Sequence, residues 1–176
     1  MKRLARYLAT VGGSTALIVA MTAGTPADAR SPHPRTVLSF DTMFANVAPF
    51  IGAPGAIRGV NAAPLPWKIG DSHGSLSSNG QLDIDVDRLT LANDPSVPAA
   101  LRGTNPLPFF AATVSCLSSS NGAEVTANVT TANFTATMPQ GNASIRQKLT
   151  LPNPCVAPIV FVTSPNGGFW FATTGQ

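Results

Sequence analysis

From Gln81 to Leu91 the chain alternates almost without error, with Leu82, Ile84 and Val86 on one side and Asp83, Asp85 and Asp87 on the other. A repeat of two puts successive side chains on opposite faces of an extended chain, and a helix cannot gather that pattern onto one face. The same period returns in Phe110, Ala112, Val114 and Cys116, with Thr113 and Ser115 opposite. It returns again from Ala143 to Leu151, where Ile145, Leu149 and Leu151 read as inward and Ser144, Arg146 and Lys148 as outward. Ile159 to Val162 is apolar without a break, as expected of a central strand covered on both faces. Shorter strands are predicted at Thr36–Phe40, Trp67–Ile69, Ser75–Ser77, Glu124–Val129, Asn133–Met138 and Phe169–Thr173. Turn chemistry separates them: Gly70 to Gly74, Ser78-Asn79-Gly80, Ser118 to Gly122, Pro139-Gln140-Gly141-Asn142 and Ser164 to Gly168. The pattern as a whole predicts an all-β protein, an antiparallel β-sandwich or open barrel of about eight or nine short strands.

Two stretches stand outside that rhythm. Between Asp41 and Gly59 the residues Phe44, Val47, Phe50 and Ile51 have helix-like spacing, yet Pro49 and Pro54 forbid a long helix. One short helical turn or an irregular covering segment is expected there. Ala92 to Pro108 is a long connection with four prolines, expected either to be functional or to cover one end of the sandwich.

The N-terminus reads as an address. Lys2, Arg3 and Arg6 precede an apolar run from Leu8 to Ala23, and Ala27-Asp28-Ala29 follows. A basic start, an apolar core too short to span a bilayer securely and an A-x-A site define a secretory signal peptide over residues 1–29, cut after Ala29. Residues 30–35 form a flexible Pro-rich leader, and residues 36–176 a single β-sandwich domain. Losing Lys2, Arg3, Arg6 and Asp28 takes the 11 basic and 8 acidic residues to 8 and 7, a net of +1. No basic stripe survives for nucleic acid, and no second long apolar run survives for a membrane. The location predicted is secreted or extracellular.

An exported chain meets an oxidising compartment, so the only two cysteines, Cys116 and Cys155, are expected to pair. Closing a loop of about 40 residues would stabilise the fold by roughly 4 kcal/mol in the chain-entropy picture.

Several residues invite a chemical reading. Asp83, Asp85 and Asp87 resemble calcium-loop carboxylates, with Asp94 at the twelfth place. However, Arg88 stands where such a loop turns on glycine, and Ile84 and Val86 would lose their burial. Outward-facing aspartates on a strand explain them better. Asp71-Ser72-His73-Gly74-Ser75 holds the residue types of nucleophilic hydrolysis within five positions, but a base must reach its nucleophile and be oriented from a third position, which neighbours in a tight turn do not achieve. No G-x-S-x-G elbow occurs, and two mature histidines do not supply a zinc set. Glu124, the only glutamate, opens a strand beside a turn and is assigned no role. Trp67 and Trp170 are candidates for a sugar-stacking platform, with burial in the core as the alternative. Asn128, Asn133 and Asn142 each open an N-x-S/T triplet. No catalytic residue and no cofactor is predicted.

Longer strings carry a resemblance. W-K-I-G, G-x-L-x-x-x-G-x-L-D-I-D-V with L-T-L, G-T-N-P-L-P-F-F-A-A-T-V-S-C, L-P-N-P-C-V-A-P-I-V-F-V and G-F-W-F-A-T-T-G, together spanning Trp67 to Gly175, are similar to a group of secreted bacterial proteins without assigned activity. That resemblance implies export and a shared fold, and no reaction. The G-x-L-x-x-x-G-x-L-D-I-D-V and L-T-L strings alone also resemble chordin-type domains, whose histidine-containing stretch further on has no counterpart here. The expectation is a secreted, non-enzymatic sandwich acting as an extracellular interaction or envelope-associated module. A carbohydrate-binding or carbohydrate-active domain and a calcium-stabilised domain are the alternatives.

Overall fold

Twelve strands appear in the computed structural model, which describes residues 33–175. The expected signal peptide, its expected cleavage after Ala29 and the leader up to Pro32 fall on residues outside those described. In chain order the strands are β1 (Thr36–Phe40), β2 (Met43–Ala45), β3 (Trp67–Lys68), β4 (Asp71–Ser77), β5 (Gln81–Asp87), β6 (Thr90–Leu91) and β7 (Phe109–Ser120). They continue as β8 (Ala123–Thr130), β9 (Phe134–Thr135), β10 (Ala143–Lys148), β11 (Val156–Thr163) and β12 (Trp170–Thr174). The fold is all-β and its strand pairs are antiparallel, as the alternation requires.

The strands make a four-stranded sheet ordered β1-β4-β5-β10, a larger sheet ordered β2-β12-β11-β7-β8 with β9 also on β7, and a small β3-β6 pair. Leu76, Leu82, Ile84, Val86 and Ile145 of the first sheet share one buried cluster with Phe110, Val114, Val160, Val162 and Phe171 of the second. Trp67 fills the space between them, stacked on Phe171 with centroids 4.1 Å apart and edge-on to Phe110 at 6.3 Å. Such aromatic contacts add about 0.5–1.5 kcal/mol each beyond the area they bury.

A second, smaller cluster of Val60, Ala62, Ile159, Phe161 and Trp170 lies apart from the first. Neighbours Phe161 and Val162 on β11 belong to different clusters, so this strand is covered on both faces, as its unbroken apolar run predicts. The irregular stretch leading to Ala62 supplies that cover. It contains a 3₁₀ turn at Ala53–Gly55, and the Trp170 Nε1–H donates to the Gly55 carbonyl at 2.9 Å. The expected helical turn and the expected covering segment are therefore both present. The three-residue strand β2 was not anticipated.

Three other sequence expectations are corrected. Gly70–Gly74 is no turn: β4 runs from Asp71 to Ser77, and its inward positions are Ser72, Gly74 and Leu76. Two small residues at inward sites hide the alternation. Gly74 is small because Phe40 of β1 packs over it, and a Cβ there would stand 2.6 Å from the Phe40 Cζ. Asn133–Met138 pairs only at Phe134–Thr135. Gln81–Leu91 is broken by Arg88, whose φ of 55° leaves the extended region and separates β5 from β6.

Cys116 and Cys155 are bonded, with Cα atoms 4.9 Å apart. The bridge ties β7 to the residue that precedes β11, beside the Val156–Leu117 pair. Without reductant, thiol titration in denaturant should find no free thiol, and two free thiols would contradict the bridge. Cys116→Ala/Cys155→Ala should lose about 2–4 kcal/mol of unfolding free energy in urea titration.

Candidate functional site

Two surfaces collect the residues that chemistry or binding would use. The first is the solvent face of the four-stranded sheet. Since β5 buries Leu82, Ile84 and Val86, its aspartates must point outward, and register sets their neighbours. Asp71 of β4 lies opposite Asp87, His73 opposite Asp85, and Ser144 of β10 opposite Asp85 on the other side. Asp85 is the hub. It accepts from Ser144 Oγ, binds Arg146 Nη2 at 2.7 Å and has His73 Nε2 at 3.6 Å. Arg88 bridges Asp71 at 3.1 Å and Asp87 at 2.9 Å, which offsets the repulsion of two carboxylates facing each other. The side chains of these pairs are between 30% and 82% exposed, so each pair contributes about 0–1 kcal/mol.

This face holds a shallow depression of about 420 Å³ with Asp71, His73, Asp85, Asp87 and Ser144 on its walls. Its order is wrong for nucleophilic catalysis: the carboxylate sits between serine and imidazole, whereas activation needs the imidazole against the hydroxyl. Ser72 is further excluded, because it is buried on the inner side of β4 while its neighbour His73 points to solvent. The expected Asp71-Ser72-His73 turn is thus a strand that divides its members between two faces. Asp83, Asp85 and Asp87 are spaced about 6.6 Å apart along the strand, too far for one ion to take all three. Among the described residues no group of three or more His, Cys, Asp or Glu converges as a metal set.

Trp67 and Trp170 do not form a platform. Each is only 4% exposed, and they belong to the two separate clusters. Their indole faces are spent on packing, Trp67 against Phe171 and Trp170 near Phe161.

The second surface was not anticipated as a site. Phe44, Val47 and Phe50 are 60%, 52% and 60% exposed, a dense group of large apolar side chains in water. They border a groove of about 510 Å³ between the edge strand β2 and the 3₁₀ turn, with Pro54, Ile57 and Trp170 completing its walls. No charged residue lines it. Phe44 faces outward because Met43 on one side takes the core position, and β2 must alternate. Asn46 ends the strand and fixes the chain that leaves it, its Nδ2 donating to the Ala63 and Leu65 carbonyls at 3.0 Å each. The Phe44-Val47-Phe50 spacing was the available signal, and it marks exposed residues rather than a helix face.

No family model, curated protein or solved structure matches this chain. No helix among the described residues is long and apolar enough to cross a membrane.

One carboxylate elsewhere has a shifted titration. Asp94, in the connection after β6, lies below the ordinary carboxylate range because the Ser96 hydroxyl donates to it at 2.6 Å and the Ser96 N–H at 2.8 Å. Its folded-state pKa is depressed, so the stabilisation is present at neutral pH and lost as pH falls through that lowered value. Ser96→Ala should move the Asp94 carbonyl-carbon NMR titration back toward the ordinary range, with part of the shift retained by the N–H. For the aspartate ladder, millimolar calcium should leave the melting temperature unchanged within about 1 °C, because Asp83, Asp85 and Asp87 do not converge on one point.

Proposed function

We propose that this chain is an extracellular interaction module that engages a partner by surface contact and carries out no reaction of its own. The observation that carries the reading is the apolar groove at β2. Soluble monomers seldom expose contiguous apolar groups without use, and patches of about 300–600 Å² are often functional. Here the exposed side chains include two phenylalanines beside a concave, uncharged wall. The polar face offers a weaker case for chemistry, since its serine, histidine and aspartate are in an order that does not activate a nucleophile. The basic and apolar N-terminus with its A-x-A site supports placing the module outside the cell. The similarity of the two cysteine strings to secreted bacterial proteins supports the same placement.

The reading is tested with an environment-sensitive apolar dye such as anilinonaphthalene sulfonate. The folded protein should raise its emission, and Phe44→Ser with Phe50→Ser should remove most of that rise while leaving the melting temperature within a few degrees. Absence of dye binding, or binding indifferent to both substitutions, would overturn the groove as the binding surface.

A further inference from the structure

We infer that the groove takes an extended, uncharged peptide segment of another protein, added as a short strand along the free edge of β2. This rests on the interaction-module reading above and goes further by naming the occupant.

The edge is open in a definite register. Ala45 pairs with Ala172 of β12, and the Asn46 N–H donates to the Phe171 carbonyl at 2.9 Å. In an antiparallel ladder that bond belongs to the wide pair around Ala45 and Ala172, so the N–H and C=O of Ala45 point away from β12. β2 is the last strand of its sheet, and among the described residues nothing bonds these two groups. An added strand can exchange two hydrogen bonds with Ala45, which is how sheet edges capture peptides.

The side chains follow from the pleat. A peptide residue opposite Ala45 shares the face of Ala45, and the residues before and after it share the face of Phe44. Those two side chains enter the groove against Phe44, Phe50 and Trp170. Because no wall residue is charged, a charged side chain there would lose hydration without a partner. The occupant must therefore be apolar or aromatic at alternate positions.

Size decides against a second copy of this chain. The exposed parts of Phe44, Val47 and Phe50 amount to roughly 300 Å². A stable dimer needs about 800 Å² on each partner. β2 is three residues long, so a short segment fits where a whole domain would leave most of its contact unmade.

The experiment selects random twelve-residue peptides displayed on phage against the whole exported protein, then titrates the winners by NMR. The expected winners are uncharged, with apolar or aromatic residues at alternate positions. They should shift the Ala45 amide resonance, and Phe44→Ser with Phe50→Ser should weaken them at least tenfold. Methylating the peptide nitrogen that faces the Ala45 carbonyl should weaken binding to a similar degree, whereas methylating the next nitrogen should not. Winners with helical spacing, or insensitive to N-methylation, would overturn the strand-addition inference. No winner at all would overturn it too, whether dye, lipid vesicles or a second copy of the chain then proves to occupy the groove. The interaction-module reading fails separately, when the dye ignores the groove.

Discussion

The packing of Trp67 between two sheets is the contact on which the architecture depends. β5 supplies apolar groups on one side only, whereas β11 and β12 of the larger sheet are covered on both faces, and the joint burial of the inner faces fixes which residues of β5 turn outward. Trp67 reaches both Phe110 and Phe171, in strands two places apart in the larger sheet. Its backbone is held by the donation of the Trp67 N–H to the Asn46 carbonyl at 3.0 Å. Through Asn46, the plug of the core and the edge strand that bears Phe44 are parts of one connected structure.

That connection explains how Phe44, Val47 and Phe50 come to share one exposed apolar groove. The stretch from Val47 to Ala62 crosses the outer face of the larger sheet and buries Phe161 and Trp170. It departs from β2 at Asn46 and returns along β12, where Ala62 bridges Trp170. The Ala63 N–H also donates to the Trp170 carbonyl at 3.0 Å. A cover anchored at these points leaves Phe44 of β2 open, and its own Val47 and Phe50 face water. The solvent face of the four-stranded sheet meets water differently, with carboxylates already paired to arginine and serine.

How far the sequence discloses this depends on how large the inward side chains are. β5 is legible because Leu82, Ile84 and Val86 are large and their neighbours are acids. β4 is not, since Ser72 and Gly74 occupy inward sites, and the reason for Gly74 is the ring of Phe40, which no local pattern reveals. The disulfide was legible from the number of cysteines and the expectation of export, without geometry. The tryptophans were ambiguous, because a large aromatic serves a core or a platform equally well until its neighbours are known. The groove was least legible: Phe44, Val47 and Phe50 stand out by spacing, but their exposure follows from the short strand β2 and from Asn46, whose bonds to Ala63 and Leu65 span 17 and 19 residues.

The separation of the two indoles has an optical consequence. Trp170 walls the groove, and its N–H is tied to the Gly55 carbonyl of the cover, whereas Trp67 is sealed between the sheets. The molecule thus carries an internal pair of chromophores, one walling the surface concavity and one packed between the sheets. Emission from the first changes with whatever enters the concavity or loosens the cover, while emission from the second serves as its reference until the sheets themselves come apart.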